Sequence, residues 1–324
     1  MKFMLTEKTM KKELFALTLL LVAVSLTARA RAAGALRIVA TVPDLVDITN
    51  RIGGGLVKVD GLAKGAEDIH QVVMRPSFVT KLNKADAVVF LGLSVEHAFL
   101  PGLLDVAANP KMRQDPATQG CVGTGCIDTS EGLSVLEKPD TLSRAQGELH
   151  PQGNPHYNIG PDQGPLLARN IARGLCRIDP VHAADYKRNL KEYLAELDPK
   201  IALWRKWVAP LKGLKAVSFH KDVCYLGRFT GIDFVDTLEL KPGVAPTPTH
   251  LEALVREMKE QDIKLIVREQ QYDPKVCQWL ADQTGAKIAV IGTMANAFPG
   301  AETFEKISER NLKALLAAVG KEPS

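Results

Sequence analysis

The sequence predicts an α/β protein of two βα lobes, each built on a largely parallel sheet, joined by one long helix. Three observations carry this expectation. Apolar runs rich in β-branched residues alternate with amphipathic segments over residues 36–91, the alternation restarts near residue 215, and about thirty residues with a continuous helical period lie in between. At 324 residues, with 46% apolar and 24% charged side chains, the chain can bury two cores and is long for one.

The chain opens with MKFMLTEKTMKKE, which carries four lysines, passes through an apolar run over residues 14–28, and reaches ARARAAG with small residues at A-x-A spacing. This is the pattern of a secretory signal peptide over residues 1–32, cut near residue 30 or 32. Its apolar run falls short of the roughly 20 residues that a membrane-spanning helix needs. No cysteine lies near the cut, so a lipid anchor is not expected. Lys2, Lys8, Lys11, Lys12, Arg29 and Arg31 against Glu7 and Glu13 account for the whole-chain formal charge of +4, which leaves the remainder neutral. A neutral chain has no basic footprint for nucleic acid, and no later segment is long and apolar enough to span a bilayer.

The first lobe, expected over residues 33–178, begins with LRIVATV as a buried strand. PDLVDITNRIGG follows as a helix closed by glycine, then VKVDGL as a second strand. In RPSFVTKLNKAD the proline suits a helical first turn, and AVVFLGL is the next strand. Residues 105–165, rich in Gly, Pro, Gln and Asp, read as a long insertion before the helix GPLLARNIARGLCRI. Over residues 179–211, Tyr186, Leu190, Tyr193, Leu197, Ile201, Trp204 and Val208 recur at threes and fours, the stripe of a long amphipathic linking helix, with a kink or restart expected at Asp198-Pro199. The second lobe, residues 212–324, reads as strands KAVSF, IDFVDTL, KLIVR and KIAVIG interleaved with helices PTHLEALVREMKEQD and DPKVCQWLADQTG, and ends in a helix near residues 301–319.

Five cysteines in an exported chain raise the question of pairing. Cys121 and Cys126 lie close together in the glycine-rich loop CVGTGC, which suits a local disulfide, whereas Cys176, Cys224 and Cys277 are scattered and read as small buried hydrophobes.

Three histidines have informative surroundings. His220 directly follows the strand KAVSF, and ligands of parallel α/β sheets bind beyond the carboxyl ends of strands. His70 lies in EDIHQVVMRPS just before a helix, and His156 sits in the proline-bracketed loop GELHPQGNPHYNIGP. Glu269 directly follows KLIVR, the same kind of position as His220. Neutral nitrogen donors with one carboxylate oxygen form a donor set for a divalent transition-metal ion. His97, His182 and His250 lack such surroundings and read as structural, while His150 shares the rigid loop with His156 and could support it or gate it.

In order, TVPDLVDITNRIGG, DIHQVVMRPSFVTKLNKADAVVFLGLSVE, GNPHYNIGP, KAVSFHKDVCYLGRFTG and LIVREQQYDPK resemble the metal-specific solute-binding proteins of ABC importers, the periplasmic zinc and manganese receptors. The resemblance covers residues 36–320. It implies two lobes facing each other across a cleft that holds the metal, with His70, His156 and His220 as ligands from the D-x-H, N-P-H and H-x-x-x-x-Y segments. Many relatives supply a fourth ligand from an aspartate after the last strand, but this chain reads IGTMANAFPG there. Glu269 is the expected substitute, with Asn296 or water as alternatives. Residues 105–149 contain no histidine, so the histidine-rich loop of many zinc receptors is absent. NIGP stands where many relatives have W-L-D-P, a change expected to loosen the support under His156.

The implied protein is a periplasmic, monomeric receptor, not an enzyme, that carries Zn2+, or alternatively Mn2+, as transported ligand. Its partners are the ABC permease and its ATPase subunit, and it meets the membrane only through the permease. Two rivals are a zinc-dependent hydrolase using the three histidines, disfavoured because no H-E-x-x-H helix is present, and an adhesin of the same fold.

Overall fold

A computed structural model describes residues 34–139, 150–239 and 243–323; the expected signal peptide lies outside them. In the first lobe, β1 (Leu36–Ala40) leads to α1 (Pro43–Gly53), β2 (Val57–Gly61), α2 (Pro76–Lys84), β3 (Ala87–Phe90) and α3 (Leu100–Ala107). Each of these helices opens on or next to a proline, whose missing N–H costs nothing in the first turn. Strand β3 is buried along its whole length, as a central parallel strand covered on both faces must be.

The described part of the stretch read as an insertion carries strands of its own. It holds an antiparallel hairpin, β4 (Arg113–Asp115) with β5 (Gly120–Val122), and then β6 (Cys126–Asp128), which pairs in parallel with β3. A Cys121–Cys126 disulfide ties the hairpin to that strand. Three residues are too few to show an alternating pattern, so β6 is recognisable only from its sheet partner.

Helix α4 (Gly164–Ile178) lies against β6 so closely that a Cβ on Gly174 would sit 2.6 Å from the Ile127 side chain. The linking helix α5 (Ala183–Val208) is 26 residues long, about 39 Å at 1.5 Å per residue. It buries Tyr186, Tyr193, Leu197, Trp204 and Val208 and contacts α1 and α4 on one side and α9 (Phe304–Ala318) on the other. It runs through Pro199 without restarting. Buried Leu197 and Trp204 lie on either side of the proline, so packing outweighs the local loss of a hydrogen bond and keeps the helix continuous.

The second lobe comprises β7 (Lys215–Ser218), α6 (Cys224–Thr230), β8 (Asp233–Thr237), α7 (Pro248–Glu260), β9 (Leu265–Glu269), α8 (Pro274–Thr284), β10 (Lys287–Ile291) and α9. Helix α6 was not foreseen; its seven residues follow the His220 loop directly. Among the described residues no helix is long and apolar enough to cross a membrane.

The two four-stranded sheets share one topology, β2-β1-β3-β6 and β8-β7-β9-β10. In both, the first strand lies between the second and the third, so the chain leaves these inner strands in opposite directions. A crevice opens beyond their carboxyl ends, the usual ligand position in parallel α/β sheets. In the second lobe that crevice is flanked by His220, two residues after β7, and Glu269, the last residue of β9. In the first it is flanked by Thr41 after β1 and the 91–97 loop after β3.

A polar seam joins the lobes. The Asp44 carboxylate accepts the Ala295 N–H at 3.2 Å, Asp47 accepts the Phe304 N–H at 2.9 Å, and the Asn158 amide donates to the Thr293 carbonyl at 2.8 Å. Gly65 packs on the 295–297 backbone, where a Cβ would lie 2.1 Å from the Ala295 oxygen.

Candidate metal centre

His70 stands on a single 3-10 turn, Ile69–Gln71, between β2 and α2. The Asp68 carboxylate caps that turn by accepting the His70 N–H at 2.9 Å and the Gln71 side-chain amide at 2.9 Å. One short hydrogen-bonded turn therefore fixes where the imidazole starts.

His156 is held by Asn154, two residues earlier. The Asn154 side-chain oxygen accepts both the His156 backbone N–H at 3.1 Å and the ring Nδ1–H at 2.9 Å. The Asn154 amide nitrogen donates to the Lys221 carbonyl and to Glu137, which fixes the orientation of the side chain. An amide oxygen only accepts, so Nδ1 carries the ring proton and Nε2 keeps its lone pair. Tyr157 anchors the same turn to the first lobe by donating to the Leu91 carbonyl at 2.8 Å, and the Tyr225 hydroxyl of α6 donates to the Asn154 carbonyl at 2.9 Å. Asn154, through the Lys221 carbonyl, and buried Tyr157, through the Leu91 carbonyl, both tie the NIGP turn and His156 to their surroundings.

His220 is oriented by Glu239, which follows β8, the sheet neighbour of β7. The ring Nδ1–H donates to the Glu239 carboxylate at 2.7 Å, turning Nε2 towards the cleft. Sequence reading missed both Asn154 and Glu239. The first was visible as an Asn two residues before the histidine in N-P-H, while the second becomes adjacent only once β8 is known to pair with β7.

These three imidazoles converge. One ring nitrogen from each of His70, His156 and His220 lies within 4.8 Å of the others, the single such metal-ligand group among the described residues. The Nε2 atoms of His70 and His156 are 2.9 Å apart. Around a tetrahedral zinc with Zn–N bonds of about 2.0–2.1 Å, ligand nitrogens lie about 3.4 Å apart, so small ring movements complete the geometry.

The surroundings keep most of these rings neutral, the form that coordinates metal. Burial, with the neighbouring imidazoles His150, His220 and His97, lowers His70 to about 2. Burial and the adjacent histidines push His156 well below its ordinary value. Burial also lowers His220, but the Glu239 hydrogen bond and the charges of Asp222 and Glu239 outweigh it, and the net direction is up.

Glu269 is wholly buried, outside the group of mutually close ligand atoms. Its Oε1 accepts the His220 N–H at 3.4 Å, and its carboxyl is hydrogen-bonded to the buried Asp222 carboxyl. Burial and then the nearby Asp222 carboxyl raise Glu269 well above the usual range, and burial also raises Asp222. Asn296 is exposed, in a left-handed turn with φ of 63°.

The remaining histidines divide. His182 pairs with Asp179 at 2.6 Å, and His250 contacts the Thr237 carbonyl at 2.8 Å, each away from the cluster. His97 packs beside His70 with ring centroids 5.7 Å apart, and His150 lies 5.3 Å from His70.

Known proteins share this arrangement of sequence and fold. The profile of the ZnuA family, zinc-uptake complex component A, periplasmic, matches residues 38–318. The chain is 23% identical over 291 residues to the manganese ABC transporter substrate-binding lipoprotein PsaA of Streptococcus anginosus, a match covering 88% of this chain and 90% of that one. It is 30% identical over 139 residues to the high-affinity zinc uptake system protein ZnuA of Brucella abortus (strain 2308), a match confined to 42% of this chain and 41% of that protein. A crystal structure of ZnuA superposes with a TM-score of 0.70 at 25% identity, covering 88% of this chain and 98% of that one. With nearly all of its described fold inside the family profile, the chain belongs to the ZnuA family, the extracytoplasmic, non-catalytic metal-binding receptors of ABC uptake systems for zinc or manganese.

Proposed function

We propose that this receptor captures one divalent ion on His70, His156 and His220, with Zn2+ its cargo ahead of Mn2+, and delivers it to an ABC permease driven by its ATPase subunit. The observation that carries the reading is the convergence of three imidazoles from three separate segments, two of them with Nδ1 engaged by an acceptor so that Nε2 faces the others. An imidazole-rich set favours zinc, whereas manganese prefers more oxygen donors. Glu269 is the fourth donor in this reading: it ends β9 beside His220, whose backbone N–H it accepts, and an ion nearby would favour its ionised form.

Residues 1–32 would act as a secretory signal that places a monomer in the periplasm. Residues 33–178 and 212–324 would form the two metal-binding lobes, with residues 179–211 as the linking helix. A helix packed against both lobes, together with the polar seam, favours small closing movements over wide hinge opening.

Isothermal titration of tag-free, metal-stripped protein tests the proposal. One tight zinc equivalent is expected, with binding weakened at least about 100-fold in His220→Ala, more than loss of a mere supporting group produces. Undiminished zinc affinity in that variant would overturn the ligand assignment, and tighter binding of Mn2+ than Zn2+ would overturn the cargo assignment.

A further inference from the structure

Leu136 and Asn154 make half of an antiparallel pair. The Asn154 N–H donates directly to the Leu136 carbonyl at 2.9 Å. The return bond, from the Leu136 N–H to the Asn154 carbonyl, runs through the Tyr225 hydroxyl instead: Leu136 donates to it at 3.1 Å, and it donates to Asn154 at 2.9 Å. A phenol oxygen can accept and donate at once, which an apolar ring cannot do. Tyr225 comes from the second lobe, five residues after His220 and in the first turn of α6, while Asn154 is two residues before His156. One wholly buried side chain therefore reaches from the segment of one ligand into the backbone of another.

Its surroundings hold it closely. The Tyr225 ring meets Tyr157 edge to face with centroids 6.3 Å apart, and the Arg228 guanidinium, itself 3.6 Å from Asp162, lies over the ring at 5.2 Å. Gly160 presses on the other end of the side chain, since a Cβ there would lie 2.9 Å from the Tyr225 Cβ. A second bridge runs alongside, from the Asn154 side-chain amide to the Lys221 carbonyl at 2.8 Å. The His220 loop and the start of α6 are thus fastened to the turn of His156 at two points.

This joint sets the spacing of two imidazoles. The ring centroids of His156 and His220 are 5.6 Å apart, with their planes nearly perpendicular. Two imidazoles bound to a tetrahedral ion at about 2.0–2.1 Å have centroids about 5.2 Å apart, against about 4.6 Å at the right angle of an octahedral ion with the same bonds. The spacing in the fold lies on the tetrahedral side. We propose that Tyr225 is a positioning residue that holds His156 and His220 at the spacing of a four-coordinate ion and so favours Zn2+ over six-coordinate Mn2+. Without the hydroxyl, the Leu136 N–H and the Asn154 carbonyl lose their shared partner, the joint slackens, and the pair can adopt either spacing. The inference rests on the three-histidine reading of the site.

Competition titrations with Zn2+ and Mn2+, together with the visible spectrum of the Co2+ form, test it on tag-free, metal-stripped protein. Tyr225→Phe keeps the ring and is expected to bind zinc about tenfold more weakly, with Mn2+ affinity within about twofold of wild type. Its Co2+ form should lose the intense visible bands of a four-coordinate ion. Gly160→Ala forces the same joint apart with the hydroxyl in place and should shift both readouts in the same direction. Tyr186→Phe removes a hydroxyl bond to Asp179 on the linking helix and should change neither metal affinity nor spectrum, which separates positioning from a general loss of stability. Zinc affinity and Co2+ spectrum unaltered in Tyr225→Phe and Gly160→Ala, or an equal loss of Zn2+ and Mn2+ binding, would overturn the role of Tyr225 and leave the ligand assignment standing. Wild type without a tight zinc equivalent would overturn the three-histidine reading as well.

Discussion

Glu239 decides which nitrogen of His220 faces the cleft. Without an acceptor at Nδ1, the ring is free to rotate and to carry its proton on either nitrogen, so Glu239→Ala should weaken zinc binding by about 10–100-fold. Competition against a chelator of known affinity measures this, and an unchanged affinity would show that the carboxylate does not orient the ligand. The histidines themselves were legible in the sequence because each stands beside a strong backbone signal: a strand end before His220, a helix start after His70 and prolines around His156. Their supports were less legible. Glu239 lies 19 residues from His220 in the chain and meets it through the pairing of β7 with β8. The place of His97 beside His70 was equally hidden, since only the fold brings the loop after β3 against the turn of His70.

Among the elements, the parallel strands and their helices could be read directly from apolar runs and proline punctuation. Strand β6 could not, because Cys126, Ile127 and Asp128 show no periodicity and owe their strand conformation to β3 on one side and α4 above. The closeness of that packing gives a test. A side chain at Gly174 must displace Ile127, so Gly174→Leu should destabilise the fold by about 1–3 kcal/mol in urea unfolding, despite the better helix propensity of leucine. Unchanged or increased stability would mean that the α4–β6 contact is looser than described. Pro199 teaches the converse: a local breaker predicts a kink or a restart, and the buried aromatic and aliphatic face of α5 carries the helix through it without the restart.

Across the whole molecule, the lobes are joined by the linking helix and by the seam at Asp44, Asp47, Asn158 and Gly65. Burial, reinforced by the nearby Asp47, raises the Asp44 carboxyl to about 7 despite the Ala295 hydrogen bond that lowers it. The folded state therefore binds this proton more readily than the unfolded chain does, so the resulting stability is complete below about pH 4 and is lost as pH rises through about 7. Asp44→Asn keeps an oxygen for the Ala295 N–H but cannot ionise. Its stability relative to wild type should rise by about 2–3 kcal/mol between pH 5 and pH 8, measured by denaturant unfolding of metal-free protein. A pH-independent difference would mean that Asp44 does not titrate in the seam. Gly65→Val, which forces a side chain against the 295–297 backbone, should spread the lobes and weaken zinc binding with the histidines untouched.

The central claim is that imidazoles from three distant segments meet around one ion. X-ray absorption at the zinc edge of protein loaded with a single equivalent tests it most directly. The account predicts a first shell at about 2.0–2.1 Å containing three imidazole nitrogens, reduced to two in His220→Ala. A wild-type shell of oxygen alone, or one unaltered by that substitution, would contradict it.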